Sequence, residues 1–119
     1  MIDRPRRIWV ADVTERSMEP ALRPGDRLLV LPAGPNGLPG LRGAPPIGSV
    51  VIVEREGRFD VKRVALPPAG VTGLWLLGDN VALSRDSRHD GAQPLSALRG
   101  RVVYRIGPRG RRGRVAAAR

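Results

Sequence analysis

The sequence predicts a mainly β fold in one compact domain with long loops. Three observations carry that prediction. Six short runs rich in branched and large apolar residues are each bounded by Gly, Pro, Asp or Asn. No stretch keeps a helical period for three turns. A length of 119 residues has room for one modest core and no appended recognition domain.

The runs come in order as "IWVADV" (8–13), "DRLLVL" (26–31), "SVVIVE" (49–54), "RFDVKRVAL" (58–66), "GLWLLG" (73–78) and "RVVYRI" (101–106), each read as a strand. Between the second and third lies "PAGPNGLPGLRGAPPIG" (32–48), whose five prolines and five glycines require a loop. A partly closed barrel is the expected arrangement of these strands. Residues 1–107 form the expected domain. Residues 108–119 are expected to be a basic, disordered tail, because "GPRGRRGRVAAAR" holds five arginines and little that packs.

Composition excludes several classes of function. The chain has no cysteine, hence no thiol nucleophile, disulfide framework or cysteine-based zinc site. Aromatic residues make up 3%, too few for a surface that stacks bases. The longer apolar stretches fall far short of the roughly 20 residues that span a bilayer. The start "MIDRPRRIWVAD" does not read as a secretory signal. A soluble, cytoplasmic protein without an integral membrane segment is expected. The net charge of +10 points toward an anionic partner, but it falls to +5 without the five arginines of the last 13 residues. That tail reads either as a solvated end making nonspecific contacts with nucleic acid or as an anchor for an acidic partner.

Lys62 is the one lysine among 21 basic residues. In an extended strand it shares a face with Asp60, Val64 and Leu66, while Phe59, Val61, Arg63 and Ala65 share the other. Burial beside aliphatic side chains disfavours the ammonium and lowers its pKa from about 10.4. An arginine stays protonated and cannot respond in this way. Lys62 is thus a candidate general base, although a close Asp60 would oppose the shift. The alternative is that position 62 escaped an arginine-rich composition without chemical consequence. His89, the only histidine, reads as solvated, and nothing in the sequence orients it into a Ser-His-Asp triad with Ser17.

"RSMEPALRPGDRLLV" (16–30) gives position 62 a context. Ser-Met-x-Pro, then Leu-Arg-Pro-Gly-Asp and an apolar strand, resembles the nucleophile segment of the type I signal peptidases, which share a clan with the self-cleaving LexA-type repressors. "VKRVAL" (61–66) is similar to that family's lysine strand. "GDNVALSRDSRHDG" (78–91) is similar to its Gly-Asp-Asn box. The motifs stand in the family order between Ser17 and Gly91. The resemblance implies a signal peptidase/LexA-like fold and a serine endopeptidase with a Ser/Lys dyad and no metal or other cofactor.

Carried over by position, Ser17 is implied as nucleophile and Lys62 as base. Ser84 is implied to orient the amine. Asp79 and Arg88 are implied as a bracing pair, with Asn80 and Asp86 shaping the same loop. Met18 and Pro20 are implied to shape the turn that presents the hydroxyl to substrate. The expected substrate is a protein or peptide bound as an extended strand. In size, in having no expected membrane anchor and in "SMEP" followed by "LRPGDRLLV", the chain resembles the nickel-type superoxide dismutase maturation proteases. That likeness implies trimming of an N-terminal extension from a partner protein. Alternatives are a Ser/Lys peptidase with another substrate and a non-enzymatic basic nucleic-acid-binding module. The sequence departs from the family at Glu15, where relatives place a small or hydroxyl residue that contributes to the oxyanion hole. It also departs at "ALPPAG" (65–70) and at Ser49.

Overall fold

A computed structural model describes residues 7–115. One antiparallel sheet of six strands organises them: β1 (Trp9–Asp12), β2 (Arg27–Pro32), β3 (Val50–Arg55), β4 (Arg58–Ala65), β5 (Trp75–Leu77) and β6 (Leu98–Gly107), in the spatial order β1-β2-β6-β3-β4-β5. β1 and β5 occupy the two edges without pairing to each other, so the sheet does not close into a barrel.

All six expected strands are present, with ends shifted by at most three residues. β3 is the central apolar strand because both of its faces are covered. Val50 and Ile52 pack with Met18, Leu22, Leu28, Val30 and Val102 on one face. Val51 and Val53 pack with Val64, Leu74, Leu76 and Leu98 on the other. Burial on both faces is why "VVIV" is continuous rather than alternating. The β3–β4 hairpin turns through Glu56 and Gly57, whose φ angles of 52° and 76° form the mirror-image turn that matches strand twist. Residues 32–48 form the expected loop, which lays Ala33 and Leu41 on the second core cluster. The one α-helix among the described residues, α1 (Ser87–Asp90), is a single turn.

β6 begins three residues before the expected start. Gly100 hides that extension, since glycine is a poor strand residue by propensity. Here it admits the Trp9 ring: a Cβ at this position would lie 2.5 Å from that ring and 2.3 Å from Val30.

The disordered-tail expectation fails for residues 108–115. Arg105 and Gly113 exchange backbone hydrogen bonds of 2.8 and 3.0 Å, and Val115 packs on the first core cluster. Arg111 donates to both carboxylate oxygens of Asp26 at 2.8 and 2.9 Å, and Asp26 is only 1% exposed. Arg105 stands 3.7 Å from the same carboxylate. These arginines therefore neutralise a buried charge. The last four residues lie outside the described ones.

Burial on its own would raise the Asp26 pKa. The hydrogen bonds from Arg111 and from the Arg23 N–H outweigh it, with the Arg111 and Arg105 charges adding to them, so the pKa is lowered. An acid with a depressed folded pKa contributes stability above its unfolded value, about 3.9, and loses it as pH falls below that. Arg111→Ala should therefore lower the urea midpoint at pH 7, because it strands the buried Asp26 charge. The deficit should shrink below pH 4.

Candidate functional site

The segment between β1 and β2 is held at both ends. Val13 N–H donates to the Asp26 carbonyl at 2.9 Å, and Asp26 accepts from the Arg23 N–H at 2.9 Å. Met18 and Leu22 are buried in the first core cluster, with Leu22 N–H bonded to the Met18 carbonyl at 2.9 Å. Ser17 is left half-buried beside an anchored Met18. The Gly-Asp-Asn segment grips it from the other side. Asn80 N–H donates to the Ser17 carbonyl at 2.8 Å, and the Asn80 side-chain amide donates to the Arg16 carbonyl at 3.2 Å.

Lys62 lies in β4 opposite Val51 of β3 and is 7% exposed. Its Nζ donates to Ser84 Oγ at 3.2 Å, and Ser84 Oγ donates to Asp86 Oδ2 at 2.7 Å. The direction of this chain follows from Asp86. Its side chain is fully buried and also accepts from Gly78 N–H at 2.8 Å and from the Arg88 N–H and guanidinium. Burial would raise its pKa, but the Arg88 and Gly78 bonds, with Ser84, drive it far below the ordinary carboxylate range. An ionised carboxylate only accepts, so Ser84 must donate to it and accept from Lys62. A neutral Lys62 amine therefore keeps its lone pair free, as proton abstraction requires.

Burial is the leading influence on Lys62 and lowers its pKa. Asp60, Asp86 and Glu15 act in the opposite direction, Arg55 acts with burial, and the net result is a depressed value. The objection that Asp60 would hold the amine charged is weakened by geometry. Asp60 is drawn to Arg55 at 3.3 Å and Arg58 at 3.6 Å.

Ser17 and Lys62 line one groove of about 210 Å³. Residues 12–15 with Ser17 and Met18 form one wall and residues 58–62 the other, with Arg55, Leu83 and Arg85 beside them. β5 pairs only with Arg63–Ala65, so the β4 edge from Arg58 to Lys62 has a strand neighbour on one side alone. Met18 lines the same groove, whereas Pro20 is exposed and does not.

The expected Asp79–Arg88 brace is not formed. Asp79 accepts two bonds from Arg63, at 2.9 and 2.8 Å, and Arg88 pairs with Asp86. Arg63 also donates to the Gly48 carbonyl at 2.8 Å, tying β4 to both the Gly-Asp-Asn segment and the loop before β3. The sequence reading left Arg63 out of the site. A signal was available in its place next to Lys62, on the opposite strand face, with an acidic residue needing a forked partner. His89 has a structural role: its Nδ1 accepts from the Asp86 N–H at 3.3 Å and completes the cap of α1.

No protein-family model matches the chain, and no curated protein matches it.

Gly78 separates the two halves of the site. A Cβ there would lie 2.1 Å from Ser84 Oγ and 2.7 Å from the Ser17 carbonyl oxygen. Gly78→Ala should cost about 1–3 kcal/mol by overpacking, read as a lower urea midpoint. Lys62→Met should move stability the other way. A lysine with a folded pKa below 10.4 binds fewer protons folded than unfolded, so its penalty is full below the folded pKa and fades as pH rises toward 10.4. The methionine variant should unfold at higher urea than the parent at pH 7, with the difference narrowing by pH 10.

Proposed function

We propose that this protein is a serine endopeptidase in which Ser17 is the nucleophile and Lys62 the general base. The observation that carries this reading is the buried Lys62 amine, which donates to Ser84 within a groove that Ser17 also lines. A solvated surface lysine would have neither the burial nor a serine fixed as acceptor by an ionised Asp86. The fold assignment under this reading is that of the signal peptidase and LexA clan, with the open sheet as a partly closed barrel.

The reaction is acyl transfer. Ser17 Oγ attacks a peptide carbonyl while Lys62 takes its proton, and the Ser17 N–H donates to the developing oxyanion. The ammonium returns its proton to the leaving amine. Water, deprotonated by the same amine, then hydrolyses the ester and releases Ser17. Substrate enters as an extended strand along the open β4 edge, where main-chain bonds supply affinity. The proposed substrate is a partner protein carrying an N-terminal extension, with a nickel superoxide dismutase precursor as the first to test. The reaction needs no cofactor, and the proposed compartment is the cytoplasm. Among the described residues no helix is long and apolar enough to cross a membrane.

Lys62→Arg keeps the positive charge but supplies no base. Its cleavage rate should fall by roughly 10²–10⁴-fold. Ser17→Ala should fall at least as far, and the double variant should be little worse than either single one, since the two residues act as a unit. The pH profile of kcat/KM between pH 6 and 10 should rise through one apparent pKa below 10.4, because only the neutral amine is active. Parental activity in Lys62→Arg would contradict the assignment.

A further inference from the structure

We propose that Glu15 selects the substrate by pairing with a cationic side chain, a lysine or arginine near the bond that is cut. This rests on the peptidase reading of the same groove. The chain carries 21 basic residues, and nearly every described carboxylate is matched to an arginine, from Asp12 with Arg27 on the outer sheet to Asp26 with Arg111 in the core. Among the described residues two acids have no such partner. One is Glu56, at the tip of the β3–β4 hairpin. The other is Glu15, exposed in the groove two positions before Ser17.

The groove's other carboxylates are already paired within the chain. Arg55 and Arg58 reach Asp60, and Arg85 reaches Asp90 at 2.9 Å. Asp12 is bonded to Arg27 at 3.0 Å. Glu15 is therefore the one carboxylate of the lining without an arginine, and its charge acts on the Lys62 amine. A substrate cation near the reacting carbonyl would meet a carboxylate with no partner to displace. A substrate anion would meet repulsion.

Long-range and local electrostatics make opposite forecasts. The net charge of +10 attracts acidic peptides from a distance, whereas Glu15 favours basic ones at contact. The deciding experiment uses quenched fluorescent peptides that differ in one residue, placed in turn at each position flanking the cleaved bond as Lys, Ala or Glu. At one of those positions the parent enzyme should show a kcat/KM ratio of Lys to Glu peptide of about fivefold or more, the scale of a partly solvated ion pair. Glu15→Gln should flatten that ratio and Glu15→Arg should invert it, with circular dichroism melts confirming that both variants fold. A parent that favours Glu at every position, or a Lys preference untouched by Glu15→Arg, would overturn the inference while leaving the peptidase reading in place. Absence of any Ser17-dependent cleavage by the parent would overturn both.

Discussion

The buried carboxylate of Asp86 is the constraint on which the site depends. A charge with no solvent must be met by donors, and here they come from three places: the Gly78 N–H, the Ser84 hydroxyl and Arg88. Each donor fixes something else. Gly78 leads into the Gly-Asp-Asn segment, Arg88 holds the one-turn helix behind it, and Ser84 becomes an obligatory acceptor for Lys62. The hydrogen-bond partner of the lysine is thus set by a group that does not touch it directly, while burial is the leading influence on its charge. Burial removes the water that would stabilise an ammonium, and the hydroxyl relay gives the amine one defined partner.

A second clamp holds the Ser17 segment at the groove that Lys62 also lines. Arg63 and Lys62 are neighbours in β4 and face opposite ways, so one strand serves two tasks. Lys62 joins the Ser84 relay, while Arg63 holds Asp79 and so places Asn80 against the carbonyls of Arg16 and Ser17. Gly78 lies between the two because no side chain fits there. Neither interaction is interchangeable with the other: the forked guanidinium suits a bidentate carboxylate, and only an amine can lose its proton.

The strands were legible because their signal is local: branched apolar runs, period-two alternation in β4 and turn residues at the ends. The three motifs were legible for the same reason, and the structure brings their Ser17, Lys62 and Ser84 to one region. Partner choice was not legible. Asp79 with Arg63 and Asp86 with Arg88 differ from the expected Asp79–Arg88 brace, since composition offers many arginines to each acid and only the fold says which one arrives. The segment after β6 shows the same limit more strongly. Its arginines read as solvated until Asp26, 85 residues from Arg111, is seen buried beneath one of them. Sheet closure was equally out of reach, because pairing of the edge strands β1 and β5 depends on twist and register across the whole sheet.

The proposed chemistry stands or falls on the protonation of one amine, and the composition allows it to be observed alone. Lys62 is the only lysine, so protein grown with carbon-13-labelled lysine gives a single side-chain Cε resonance. That resonance should be followed from pH 6 to 11 in the parent and in Asp86→Asn. In the parent it should titrate with an apparent pKa below 10.4, the value for a solvated lysine. Asp86→Asn, which removes a charge favouring the ammonium, should lower it further. A parent resonance that titrates at 10.4 or above would show an amine protonated throughout the neutral range, and would contradict Lys62 as the base.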